Sequence, residues 1–177
     1  MDKIFRQRID IHPEYTVSAG LLSEVSNTKQ LLQLLLKGEL NCALLNTTYI
    51  PDIFPVLIAS TKAAHAHATG AMKTKGIHTE LLYNLSPTTS ISTALKTFGV
   101  KGDEESLLVV CVSKDIEAEG IVDVVGKIDG VRRDVGDLSE FMSCDKMRKL
   151  YGVTDDELCV GSWSDAVTLR IATKDAL

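Results

Sequence analysis

Pro87 constrains this chain more than any other residue. In the stretch from Ile77 to Val100, Ile77, Leu81, Leu82 and Leu85 recur at helical spacing and make one apolar stripe. The stripe must stop at Ser86-Pro87, because the proline ring clashes with a continuing helix and brings no N–H. A second helix is expected at once. Ser90 is placed to cap it, with Ile91, Ala94, Leu95 and Phe98 as its buried face and Gly99 as the left-handed residue that commonly follows a helix end. Two short helices meeting at a rigid turn define architecture. The pattern by itself assigns no activity.

The rest of the chain is read by the same rules. Phe5 to Ile11 alternates weakly, with Ile9 and Ile11 expected on one face. His12-Pro13 is expected to turn the chain, and Tyr15, Val17, Ala19 and Leu21 alternate strictly, so two paired strands are predicted. Ser26-Asn27-Thr28 suits the start of a helix through Leu36 that Gly38 stops. Asn41 to Asn46 reads as a short buried strand. Ile50 precedes Pro51 and is expected to be extended, and Asp52 is placed to cap a long helix from Ile53 to about Met72. Leu107 to Val112 is apolar without alternation, the pattern of a strand covered on both faces. Ala118 to Ile128 places Ile121, Val122, Val125 and Ile128 on one helical face, and Val131 to Val135 reads as an edge strand kept soluble by Arg132-Arg133. Asp145 to Tyr151 is a helix closed by Gly152. Thr154 to Glu157 has the form of a capping box, and a last helix carries Trp163, Ala166, Val167, Arg170 and Ile171. Strands and helices interleave without a regular βαβ rhythm. The expectation is a mixed α+β (α/β) fold, a compact single domain over residues 1–177 with a small central sheet flanked by helices.

Composition narrows the function classes. No apolar run approaches the length needed to span a bilayer, and Met1-Asp2-Lys3-Ile4 opens no long hydrophobic segment, so a soluble intracellular chain without membrane contact is expected. Cys42, Cys111, Cys144 and Cys159 never fall at zinc-ligand spacing and read as reduced, mostly buried thiols. His65 and His67, two apart on a helix, point about 200° from each other and cannot grip one ion, so neither metal nor cofactor is expected. Residues 1–100 hold nine Lys/Arg against seven Asp/Glu, and residues 101–177 ten against seventeen. Between Asp52 and Glu80 no acid occurs, while Lys62, His65, His67, Lys73, Lys75 and His78 do. That island admits two readings, a solvated helix end or a place that attracts a polyanion.

Catalytic patterns are missing. There is no Gly-rich phosphate loop of either standard spacing, and Gly161-Ser162-Trp163 is only half of a nucleophile elbow. A Cys/His pair brought together by the fold stays open, which leaves a small Cys/His hydrolase as the reading from a different class. The residues alone favour a non-enzymatic binding domain.

The motifs also resemble a known family. Asn41-Cys-Ala-Leu-Leu-Asn46, Ala59-Ser-Thr-Lys-Ala-Ala-His65, Met72-Lys-Thr-Lys75, Thr79-Glu80-Leu-Leu-Tyr83-Asn84-Leu-Ser-Pro87, Ile91-Ser-Thr-Ala-Leu-Lys-Thr-Phe-Gly99 and the ending Arg170-Ile-Ala-Thr-Lys174-Asp-Ala-Leu177 resemble, in that order, the PRPK-binding protein (TPRKB) family. The similarity covers nearly the whole chain and is most specific from Lys62 to Gly99. It implies a non-catalytic subunit of the KEOPS complex, also called EKC, which attaches threonylcarbamoyl to the adenosine beside the anticodon of certain tRNAs. It also implies that the subunit binds the atypical kinase/ATPase PRPK, supports its activity, and meets the threonylcarbamoyltransferase subunit through PRPK. Contact with the single-stranded 3′ end of tRNA, in cytoplasm and nucleus, belongs to the same implication.

On this resemblance Lys62, His65, Lys73 and Lys75 are expected to meet RNA phosphates, with Ile77 offering an apolar surface to unstacked bases. Archaeal relatives have a more basic turn where this chain has Ser86-Pro-Thr-Thr-Ser90, so RNA contact is not carried onto that turn. Leu158, Trp163 and Val167 of the last helices are the candidate kinase contact, beside the alternative that Trp163 is an ordinary core residue. A protein-only adaptor without RNA contact is the second reading.

Overall fold

Strict alternation in the second strand creates the frame on which the protein is built. The computed structural model describes residues 3–114 and 120–176. Strand β1 (Ile4–Ile9) pairs antiparallel with β2 (His12–Ser23), joined by a two-residue turn at Asp10-Ile11. The expected turn at His12-Pro13 therefore lies one step early in the chain, and both residues belong to β2. Ile11, at the turn, is exposed and does not share the buried face of Ile9. A proline at the second position of a strand is tolerated because it sits at the end of the ladder.

Strand β4 (Leu107–Lys114) pairs with β2 from Tyr15 against Lys114 to Leu22 against Leu107, and β3 (Ala43–Asn46) flanks β4. Strand β5 (Val131–Arg133) joins β2 at Leu21 to Ser23, giving a five-stranded antiparallel sheet in the order β1-β2-β4-β3 with β5 beside β2. The period of two then separates two cores. Val17, Ala19, Leu21, Leu45, Leu108 and Val110 face one way; Leu22, Leu44, Leu107, Val109 and Cys111 face the other. Helices α1 (Thr28–Leu36) and α5 (Gly120–Gly126) cover the second face through Leu31, Ile121, Val124 and Val125. The expected buried Val122 points outward and Val124 takes its place, while the expected helix start at Ala118 lies outside the described residues.

The first face is closed by α2 (Ile53–Thr69), α3 (Ile77–Leu85) and α4 (Ile91–Phe98), and by α6 (Cys144–Tyr151), α7 (Asp155–Val160) and α8 (Trp163–Thr173). Asp52 caps α2 by accepting from the Phe54 N–H at 2.8 Å. Gly70, at φ 68°, ends that helix at Thr69, three residues before the expected Met72. Ala59, Ala63 and Ala64 are fully buried. Their small side chains let α3 approach until the Asn84 amide donates to the Ala59 carbonyl at 3.2 Å. Helix α3 stops at Leu85 and Ser86 turns extended, as a residue before proline must. Tyr151 of α6 donates to the Leu85 carbonyl at 2.9 Å, so the break in the helix is itself a docking point.

Two expectations for α4 are corrected. Ile91, in the first turn, is exposed, and the buried face is Ala94 and Phe98 with Leu95 half-buried. Gly99 is extended at φ −73°, not left-handed. It is glycine for space: a Cβ there would lie 2.5 Å from the Leu95 carbonyl oxygen, while the backbone bridges to Leu45 of β3. Gly99→Ala is therefore expected to lower the unfolding free energy by about 2 kcal/mol, the scale of an overpacked contact. Urea unfolding of the purified chain measures it, and an unchanged midpoint would refute the steric account.

Candidate functional site

The loop between α2 and α3 is shaped by one buried carboxylate. Glu80, in the first turn of α3, accepts from the Lys73 N–H at 3.1 Å, the Thr74 N–H at 2.8 Å and the Thr74 hydroxyl at 2.7 Å. Thr79 closes the cap by accepting from the Gly76 N–H at 3.2 Å. A carboxylate that receives backbone donors in this way orders the loop that supplies them. Lys73 to Gly76 is thereby held against α3, with Lys75 exposed and without an ion pair among the described residues, and Ile77 half-buried behind it.

Folding changes the charge of this region. In sequence it has no acid, but the C-terminal turn brings Asp175 between two of its lysines. Lys73 Nζ lies 2.7 Å from Asp175 Oδ1 and Lys62 Nζ lies 2.9 Å from Oδ2. Lys62 also donates to the Ile171 carbonyl at 2.8 Å, at the negative end of α8. Lys174 is buried and donates to the Tyr83 carbonyl with its ammonium 3.4 Å above the Tyr83 ring. Burial pushes its pKa down to about 8. The hydrogen bonds from Lys73 and then Lys62 hold Asp175 down at about 2, and the same Asp175 contact raises Lys73. The acid-free island is thus a mixed-charge cluster around a cavity of about 360 Å³, which Lys62, His65, Thr69, Lys73, Tyr83 and Asp175 help to line.

Of the five candidate RNA contacts, Lys62, His65 and Lys73 share that cavity, and Lys75 and Ile77 belong to the adjoining loop and helix start. His65 Nδ1 lies 2.9 Å from His12 Nε2, and His67 Nδ1 lies 2.6 Å from the Tyr15 hydroxyl. The two histidines are therefore spent on contacts to β2. Among the described residues no group of three His, Cys, Asp or Glu side chains is arranged to hold a metal ion.

The candidate kinase contact is redistributed. Val167 is a core residue at 1% exposure and presents nothing to a partner, and Leu158 and Trp163 are half-buried against the same core. Trp163 also carries the Arg148 guanidinium over its ring at 5.7 Å. What α7 and α8 do present is Val160, 91% exposed, and Leu169, 58% exposed, on the two sides of one shallow groove. Helical periodicity could have separated these from Val167, since Leu169 lies about 200° around α8 from it. Val160 ends α7, where periodicity is too short to decide.

A second cavity brings Cys111 and His78 together beneath β4. The protonation states oppose a thiolate nucleophile. Burial pushes the Cys111 thiol up to about 12 and the His78 imidazole down to about 4, and His78 Nε2 accepts from the Val112 N–H at 3.1 Å. Cys42 is likewise pushed up to about 12 by burial. Cys144 and Cys159 are exposed, against the expectation that most thiols are buried.

Residues 22–175 match the family of the kinase binding protein CGI-121. The chain is 38% identical over 169 residues to the EKC/KEOPS complex subunit TPRKB of Danio rerio, which covers 96% of this chain and 97% of that protein. It is 29% identical over 153 residues to the EKC/KEOPS complex subunit cgi121 of Aspergillus fumigatus, at 80% and 81% coverage. With the Kluyveromyces lactis subunit CGI121 it shares 27% identity over 143 residues, at 81% and 89%.

His78 makes stability depend on pH in a defined direction. Its pKa falls from 6.5 in the unfolded chain to about 4 in the fold, so between those values unfolding takes up a proton. The contribution is intact above pH 6.5 and is lost as pH falls toward 4, by up to about 3 kcal/mol. Unfolding midpoints across this window are expected to fall less in His78→Gln than in the wild-type chain. Parallel slopes for the two would show that His78 is not the group responsible.

Proposed function

Because this chain belongs to the CGI-121 family of kinase binding proteins, we propose that it is a non-catalytic subunit of the EKC/KEOPS complex. It binds a PRPK-type kinase/ATPase directly, supports that enzyme's activity, and helps recruit the single-stranded 3′ end of tRNA for threonylcarbamoylation, in cytoplasm and nucleus. The observation that carries this reading is end-to-end similarity to a TPRKB subunit, 38% identity over 96% of the chain. The Cys111–His78 pair beneath β4, held as buried neutral thiol and neutral imidazole, is compatible with a subunit that does not use them as a nucleophile and base. The kinase contact lies on the groove between α7 and α8, where Val160 and Leu169 supply exposed apolar area ringed by Glu157 and Asp165.

The tRNA surface is the loop that Glu80 holds together with the adjoining cavity, and Lys75 is its freest cation. Few lysines make a weak site. Useful affinity then comes from linking it to other weak sites across the complex, where the second contact forms at high effective concentration. A protein-only adaptor is the second reading, and one observation favours it: Asp175 already pairs with both Lys62 and Lys73.

Co-purification with the PRPK-type kinase tests the main reading, and absence of a complex removes it. Leu169→Asp combined with Val160→Asp is expected to weaken that complex at least about tenfold, roughly 1.4 kcal/mol, without lowering the melting temperature. Retention of the complex by this variant would move the interface elsewhere. For RNA, Lys73→Glu with Lys75→Glu in the reconstituted complex is expected to reduce tRNA retention and flatten its dependence on salt. Unchanged retention across salt would leave the protein-only reading standing.

A further inference from the structure

The C-terminal turn meets the cation cluster in an unusual way. Asp175 bridges Lys62 and Lys73 with its two carboxylate oxygens, at 2.9 and 2.7 Å. These lysines come from α2 and from the loop before α3, and among the described residues the other carboxylate lining the cavity is that of Glu80. Glu80 is buried and occupied by Lys73 and Thr74. Its neighbour Lys174 is buried too, and anchors the turn onto Tyr83 from the other side. Three ammonium groups therefore gather around Tyr83 and the cavity. Without Asp175, Lys62 and Lys73 would face each other and Lys174 with no accessible counterion, and the cluster would need an anion from solvent or from a ligand.

We infer that Asp175 is a built-in competitor for this site: it occupies the two-lysine seat that an RNA phosphodiester takes when the C-terminal turn gives way. The inference rests on the RNA reading above and adds its regulation. A phosphodiester matches what Asp175 now supplies, one negative charge shared by two oxygens that accept from two ammonium groups. The side chain of Asp175 is about half exposed, at 47%, so an incoming strand has access to the contact it must displace. The cavity beside it is lined by the exposed Ile11, which offers apolar area to an unstacked base. Lys174 remains anchored during the exchange, so the motion starts beyond it, at Asp175.

The test compares the full chain with Asp175→Asn, with Asp175→Asn combined with Lys62→Ala and Lys73→Ala, and with Asp156→Asn as a control for removing an exposed acid elsewhere. The probe is a single-stranded RNA of about eight nucleotides, followed by fluorescence anisotropy over a salt series. Asp175→Asn is expected to bind about three- to tenfold tighter at low salt, the worth of two exposed ion pairs. Its salt slope is expected to steepen by about 0.7 for each phosphate gained. The lysine changes are expected to remove both gains, and Asp156→Asn to produce neither. If the wild-type chain binds and Asp175→Asn binds equally, or if Asp156→Asn gives the same gain, the competitor role is overturned while the RNA reading stands. Absence of binding by every variant, Asp175→Asn included, overturns the competitor role; the RNA reading is then decided by tRNA retention in the reconstituted complex.

Discussion

The ladder between β2 and β4 is the constraint on which everything else rests. From Tyr15 against Lys114 to Leu22 against Leu107, the two strands pair without interruption, and apolar side chains leave both faces. A sheet that is apolar on both sides must be covered on both sides. Helices α1 and α5 therefore lie on one face, and the larger layer around α2, α3 and α8 lies on the other. The short strands β3 and β5 are consequences of this pairing, because each finds a backbone ladder already formed beside it.

Within the larger layer, close approach substitutes for bulk. Alanines of α2 bring α3 near enough for Asn84 to bond to the α2 backbone, and the interrupted end of α3 receives Tyr151 from α6. The rigid turn that begins as a local consequence of Pro87 thus becomes the place where a distant helix docks. From the other end of α3, Glu80 reaches into the preceding loop and fixes its backbone. One short helix therefore connects the core to the loop that carries the exposed Lys75. A loop whose backbone is already fixed by a buried carboxylate has little conformational entropy left to lose.

Much of the fold is legible in the chain. Alternation identifies β2, an unbroken apolar run identifies β4, and Asp52, Ser90, Thr154 and Ser86-Pro87 mark helix ends by local chemistry. The departures have physical causes. Its place after a helix marks Gly99 for conformational freedom, and its actual constraint is the Leu95 carbonyl oxygen, which a Cβ would meet at 2.5 Å. Val122 and Val124 exchange places because a seven-residue helix permits more than one apolar face until a sheet selects between them. The candidate site was legible only as a list of cations. Val167 and Leu169 are similarly apolar but lie on opposite sides of α8, so periodicity separates them and packing decides which side is buried.

The sequence by itself determined where several helices start through their caps, that α3 stops before Pro87, which strand is covered on both faces, and the family to which the chain belongs. These follow from interactions between residues a few positions apart, or from motifs that survive as text. Only the tertiary structure decided the electrostatic character of the basic region. Asp175 and Lys73 are 102 positions apart, and no periodicity or spacing relates them. Coulomb attraction acts through space and falls with distance between atoms, so a charge count along the chain cannot know which acid will arrive between which lysines.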